Sequence, residues 1–190
     1  MIEPSEAMDS PLIGHEFWCL GHGLRIIQST RDTDDGSVWF DYLAPPSARV
    51  PEHIHRHQEE RFEVVSGTLG VCVGGRELLL DPGQKATGAP GVPHAWWNPN
   101  GDEEVHLLVG ICPGLEIENL FEALLGLARD GKTLGQMVPR NPLQLAVVLD
   151  GTWNWGHFTA VPEPIWKGLF APVALLALVG RTLGYRALHL

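Results

Sequence analysis

Basic residues are scarce in this 190-residue chain: 13 Lys and Arg stand against 23 Asp and Glu, a formal charge of −10. A surface that acidic repels phosphate backbones, and no run of Lys or Arg gathers positive charge locally, so nucleic acid is not an expected partner. Cysteine is scarce too. Cys19, Cys72 and Cys112 are odd in number and widely spaced, with no CxxC pair, which argues against a disulfide framework and for a reducing, cytoplasmic setting. Cys72 and Cys112 sit in apolar runs and read as small core residues rather than nucleophiles. Long apolar runs are also lacking. The longest uncharged one, GLFAPVALLALVG at 168–180, has 13 residues, whereas a spanning helix needs about 20. Lys167 and Arg181 flank it as they would an interfacial helix, but the commoner use of such a face is packing on protein. Membrane contact is therefore not expected. The opening MIEPSEAMDSP has neither the basic start nor the apolar run of a signal peptide.

Turn formers, by contrast, are plentiful, with 22 Gly and 15 Pro. From about 24 to 112 the chain alternates short apolar runs with turn signals: Asp-Asp-Gly, Ala-Pro-Pro-Ser, Ser-Gly, Gly-Gly, Asp-Pro-Gly, Pro-Gly and Pro-Asn-Gly. Gly supplies positive φ and Pro fixes φ at such places. Strands are predicted at 24–29, 37–43, 60–66, 69–73, 76–80, 84–88, 94–98 and 104–111, a spacing that suggests a β-sandwich or barrel. After Pro113 the period changes. Ile117, Leu120, Phe121, Leu124, Leu127 and Ala128 recur at helical spacing, with Gly131 as the stop. A second helix begins at Asn141-Pro142, a cap followed by Pro at the first position. A third covers about 164–186, interrupted by Pro172. The organisation expected is an N-terminal arm (1–23), a β-barrel (24–113) and a helical extension (114–190) packed on the barrel or on a dimer interface.

The chemistry is concentrated in His53-Ile54-His55-Arg56-His57-Gln58-Glu59-Glu60. Alternate residues of a strand share a face, so His53 and His55 point the same way. Glu60 opens the next strand and shares a face with Phe62 and Val64. Much later, Pro90-Gly91-Val92-Pro93-His94 presents one more histidine after a turn, on the same face as Trp96 and Asn98. Three imidazoles and a carboxylate suit a divalent first-row metal such as Fe, Mn, Ni, Co or Zn, and an octahedral ion would keep two positions for water, O₂ or a chelating substrate.

These residues resemble the cupin superfamily. Its first motif, G-x5-H-x-H-x(3,4)-E-x6-G, is matched by Ser47, His53, His55, Glu60 and Gly67. Its second, G-x5-P-x-G-x2-H-x3-N, is matched by Gly83, Ala89, Gly91, His94 and Asn98. The fifteen residues between Gly67 and Gly83 resemble the short spacing of small bacterial cupins. Ser47 and Ala89 depart from the motif Gly and Pro, both at turns, and all four ligand positions are filled. The resemblance covers about 24–112. It implies a mainly β jelly-roll barrel, a homodimer, and one divalent transition metal in the lumen on His53, His55, Glu60 and His94.

Other residues invite blander readings. His57 is expected in a solvent-facing loop, and Gln58 and Glu59 either orient an imidazole or stay exposed. Phe62 and Trp96 are candidates for a planar apolar pocket, although barrel packing explains Trp96 equally well. Asn98 reads as a strand-end structural residue and His106 as a satisfied core or interface histidine. Trp153, Trp155 and His157 either cover apolar surface or form a lid. The resemblance leaves function open. The leading expectation is a metal-dependent, dioxygenase-type enzyme acting on a small organic substrate, with Glu60 as ligand or proton acceptor. Its alternatives are a non-catalytic metal or ligand sensor and a non-redox isomerase or lyase.

Overall fold

The structure is a computed structural model that describes residues 16–19, 22–134, 138–151 and 156–186. Among the described residues ten strands precede the first helix: β1 (Glu16–Cys19), β2 (His22–Gln28), β3 (Val38–Ala44), β4 (Arg49–His55), β5 (Glu59–Ser66), β6 (Leu69–Val73), β7 (Arg76–Leu80), β8 (Lys85–Gly88), β9 (His94–Trp97) and β10 (Val105–Cys112). They form two antiparallel sheets. One runs β1-β2-β3-β10-β5-β8. The other runs β4-β9-β6-β7 and gains a further strand, β13 (Gly156–Phe158), on the β4 edge. The mainly β jelly roll expected from the sequence is present as two facing sheets, with no ladder joining them among the described residues.

Period-2 burial builds the core between the sheets. In β5 the residues Glu60, Phe62 and Val64 face inward while Glu59, Arg61 and Glu63 face out. In β10, Val105, Leu107, Val109 and Ile111 are buried. Phe40, Leu69, Val71 and Trp96 complete the same cluster. Trp39 lies on the outer face, its ring over Gly110. Tyr42 points inward and meets the Trp96 ring edge-on, with centroids 5.4 Å apart.

The N-terminal segment differs from the loose arm expected. Residues 1–15 and 20–21 lie outside the described residues, but Glu16–Cys19 pairs with β2 in register Glu16↔Arg25, so part of the segment joins the sheet. Strand β4 begins at Arg49, where only its histidine end was anticipated.

Beyond the jelly roll come α1 (Leu115–Arg129), a small ladder of β11 (Thr133–Leu134) and β12 (Val138–Pro139), α2 (Pro142–Gly151) and α3 (Glu163–Thr182). Ile117 joins the main core, and Phe121 meets Phe40 edge-on at 5.3 Å. Glu118, 2% exposed, accepts hydrogen bonds from the Ser29 hydroxyl (2.6 Å), the Thr30 backbone N–H (2.9 Å) and the Thr30 hydroxyl (2.6 Å). A buried carboxylate with three donors locks α1 to the end of β2. Asn141 caps α2 as predicted, accepting from the Leu143 and Gln144 N–H groups at 2.9 and 3.3 Å. Helix α3 reaches 20 residues, with mean hydropathy 1.3 in its most apolar stretch. It is long and apolar enough to cross a membrane by length and composition alone, and 11% of that stretch is buried. It rests on α2 through Ala177 and Gly180. A Cβ at Gly180 would stand 2.8 Å from Val147 and 3.0 Å from the Leu143 carbonyl, so only glycine permits this approach.

Ser47, the residue in place of the motif glycine, holds φ 59°. That left-handed conformation costs a side-chain-bearing residue about 1–2 kcal/mol. Ser47→Gly is accordingly expected to leave stability unchanged or raise it by up to about 1 kcal/mol in urea unfolding. Ser66→Gly, at the exposed end of β5, should instead lower it by about 0.5–1 kcal/mol. Equal losses at both sites would contradict the strain assigned to Ser47.

Candidate metal centre

The four predicted ligands come together, and they come from both sheets. His53 and His55 project from β4 and His94 from β9, where His53 and His94 are directly paired. Glu60 projects from β5 on the facing sheet. All four are buried, His53 at 9%, His55 at 1%, Glu60 at 7% and His94 at 0% exposure. Their donor atoms lie within 4.8 Å of one another. The Nε2 atoms of His53, His55 and His94 stand 3.4, 3.1 and 2.9 Å from the same atom, Glu60 Oε2.

The orientation of two imidazoles is fixed from behind. His53 Nδ1 donates to the Pro51 carbonyl at 2.9 Å, and His94 Nδ1 donates to the Val92 carbonyl at 2.8 Å. In a neutral ring that leaves Nε2 with its lone pair turned toward Glu60. Lone pairs facing a carboxylate at such distances repel unless positive charge lies among them. Protonating all three rings would bury three like charges within one small cluster. A divalent ion satisfies every lone pair at once. Ligand atoms about 2.1 Å from a common ion stand about 3.0–3.4 Å from each other, the spacing found around Glu60 Oε2. This thiol-free set of three nitrogens and one carboxylate can hold a borderline first-row ion.

The electrostatics agree. Burial pushes the Glu60 carboxyl up, but the positive charge it draws onto the neighbouring His53, His55 and His94 rings outweighs burial and holds it well below the usual carboxylate range. Burial pushes His94 down, yet contact with the Glu60 carboxylate and the Val92 carbonyl lifts it above an ordinary imidazole. The cluster is thus built around an anion that draws positive charge.

Local sequence explains how His94 reaches Glu60 from the other sheet. Gly91 has φ 75°, and Val92 N–H bonds the Ala89 carbonyl at 3.0 Å, so Ala89-Pro90-Gly91-Val92 is a tight turn. Gly91 N–H bonds the His55 carbonyl at 2.8 Å, tying this turn to the strand of the first two histidines. Gly88, paired with Glu60 across β5 and β8, lies directly beneath the His94 ring, where a Cβ would stand 2.8 Å from Nδ1. The absence of that one atom lets the two sheets meet at the site. The motif reading did not single out Gly88; its place six residues before His94, ending a strand, was the available signal.

The remaining candidates fall as follows. Phe62 and Trp96, expected as pocket walls, are 1% and 3% exposed and pack in the core. The Phe62 ring lies 6.4 Å from that of His94. His57 is exposed, as expected. Gln58 is buried and donates to the Pro113 carbonyl at 2.6 Å, while Glu59 pairs with Arg61 on the outer face at 2.6 Å. Asn98 braces the strand end, donating to the carbonyls of Ala44, Pro45 and Glu103. His106 faces away from the core and is paired with Asp41, which also binds Arg25. Cys72 and Cys112 are free thiols, and burial with neighbouring Asp35 pushes Cys112 up, away from thiolate chemistry. Trp153 and Trp155 lie outside the described residues.

A family model for the cupin domain matches residues 40–111, which include every ligand. That segment is a cupin domain. Among solved structures the chain is similar to a predicted oxalate decarboxylase from Thermotoga maritima (16% identity, TM-score 0.46, covering 54% of this chain and 93% of that one). It is also similar to the cupin domain of Cnp3 from Schizosaccharomyces pombe (14%, 0.43, 48% and 60%) and to an RmlC-like cupin from Shewanella frigidimarina (20%, 0.42, 49% and 77%). No curated protein matches the chain.

The cupin domain gives a direct test of the packing beneath His94. Gly88→Ala should fold yet bind added Zn²⁺ about 10–100-fold more weakly, the range for disturbing the support of a ligand. Competition with a chromophoric chelator measures it. Unchanged affinity would show that His94 does not need that clearance.

Proposed function

We propose that this cupin is a metal-dependent enzyme, oxygenase-like, that holds one divalent first-row metal on His53, His55, Glu60 and His94 and acts on a small organic substrate beside it. The observation that carries the reading is the convergence of three imidazole Nε2 atoms on Glu60 Oε2, with the His53 and His94 rings fixed by backbone carbonyls. When bound, such an ion supplies Lewis acidity toward a substrate oxygen and, if it is redox-active, chemistry with O₂. The protein's own part is orientation, exclusion of water and proton handling. The carbonyls of Pro51 and Val92 keep the imidazoles aimed. The core around Phe62 and Trp96 keeps the far side of the cluster dry. Glu60 is the one carboxylate of the cluster and, in this reading, the group that accepts a proton from an acidic C–H or O–H of the substrate.

A second reading, a non-catalytic metal or ligand-binding module, also has an observation behind it. A cavity of about 310 Å³ reaches His53 and His55, and among the described residues no Asp, Glu, Lys or Arg lines it. A non-redox isomerase or lyase is a third reading, and the metal found separates it from the first.

Protein purified without chelator is expected to carry near-stoichiometric Fe, Mn, Ni, Co or Zn by elemental analysis, and a His53→Ala/His94→Ala variant to carry background levels. Under the oxygenase reading, Glu60→Gln should lower substrate-dependent O₂ uptake by at least about 100-fold, the scale of a lost acid–base group. A parent that is metal-free and takes up none of these ions would remove the site. Tightly held Zn with no turnover would favour the binding module.

A further inference from the structure

The cavity beside the cluster is mostly not made by the cupin domain. Of the fourteen described residues that line it, four, including His53 and His55, lie within residues 40–111, and the other ten follow. Leu120 comes from α1, Val148 and Leu149 from α2, and Trp166 from α3. Strand β13 supplies Gly156, His157 and Phe158. It pairs with β4 in the register Gly156↔His55, His157↔Ile54, Phe158↔His53, which sets it directly beside the two ligands. The approach is so close that a Cβ at Gly156 would stand 2.1 Å from the Ile54 carbonyl oxygen. The Phe158 ring lies 6.1 Å from that of His53.

The chemistry of this wall is one-sided. Among the described residues, aliphatic and aromatic side chains dominate, with no charged side chain other than imidazole and no hydroxyl or amide side chain. Among the described residues, the polar side chains it offers are the His157 ring and the Trp166 indole, with the His53–His55 edge of the metal cluster at one end. The His157 ring stacks on Trp166, with centroids 5.7 Å apart and planes 24° from parallel. Its Nδ1 is buried and has no hydrogen-bond partner among the described residues. A polyol, a sugar or a phosphate ester entering here would lose its hydration without replacement hydrogen bonds. An apolar body would gain by the same burial. The volume is at the low end for ligand pockets, enough for a single aromatic system or a medium-length acyl chain.

We infer that the C-terminal segment converts the mouth of this cupin domain into a receptor for a small apolar organic acid, its hydrocarbon part against the α1, α2, α3 and β13 wall and its acidic oxygens toward His157 and the His53–His55 edge of the metal cluster. The inference deepens the proposed function by naming its substrate class, and it rests on reading cavity and cluster as one site.

Isothermal titration of the full-length chain, Zn-loaded and metal-free, with octanoate, 1-naphthoate, gluconate and glucose 6-phosphate tests it. Octanoate or 1-naphthoate should bind the Zn-loaded chain at least ten-fold more tightly than gluconate or glucose 6-phosphate. Leu149→Gln/Phe158→Gln replaces two wall residues that are 39% and 48% exposed. It should keep the parent's melting temperature and Zn content and lose about ten-fold in octanoate or 1-naphthoate affinity. Phe158→Gln alone serves if the double variant melts early. Binding of the polar probes as tight as that of the apolar acids, no binding of either apolar acid, or unchanged affinity in the variant would each overturn the inference. Zn content, read on the same samples, keeps the two ideas apart. A chain that binds octanoate but no metal loses the proposed enzyme and keeps the pocket, whereas one that binds metal but no apolar acid does the reverse.

Discussion

A single carboxylate oxygen, Glu60 Oε2, organises the centre of this molecule. Three imidazole nitrogens approach it from the opposite sheet at 2.9–3.4 Å. Burying a lone carboxylate costs several kcal/mol even after relaxation, so the interior tolerates it only with positive charge at hand. Everything nearby serves that requirement. The turn at 89–92 sets the height of His94, the carbonyls of Pro51 and Val92 fix ring directions, and Gly88 leaves room beneath the His94 ring. The two sheets are joined by no ladder among the described residues. Near the site this cluster is the polar link between them, while Phe62, Val64, Leu107 and Trp96 supply the apolar one.

Much of this was legible in the sequence, for reasons that can be named. Period-2 alternation and turn residues gave most strands to within a residue or two, because a half-buried strand must alternate. His53 and His55 two apart, Glu60 five further on and His94 after a Pro-Gly turn are a pattern whose spacing carries its geometry. Ser47 shows why one departure from the motif was tolerable, since serine takes up the same left-handed backbone. Asn141-Pro142 announced α2 because its cap chemistry is local.

What was missed depends on long-range placement. Nothing local marks Gly156–Phe158 as a strand, since its partner β4 lies about a hundred residues earlier. Phe62 and Trp96 could be assigned to a face but not to a depth, and depth turned out to be the core. The cavity walls Leu120 and Val148 were visible as apolar helix positions, and a helix's periodicity does not say whether its apolar face fills space or leaves some. The helix predicted at about 164–186 is present as Glu163–Thr182, but the thirteen-residue uncharged stretch understated its apolar length, because Lys167 and Arg181 lie within the helix.

The seating of α3 has a mechanical side. Its buried residues, Ala177 and Gly180, lie in its C-terminal half, while Trp166, near the other end, forms part of the cavity wall. Fourteen residues separate Gly180 from Trp166, about 21 Å along a helix axis. Taken as a rigid rod pivoting at Gly180, the helix is a lever with its fulcrum far from its load. A tilt of about 3° moves the indole by about 1 Å. The stack of His157 on Trp166, with centroids 5.7 Å apart, ties that distant end of the helix to β13.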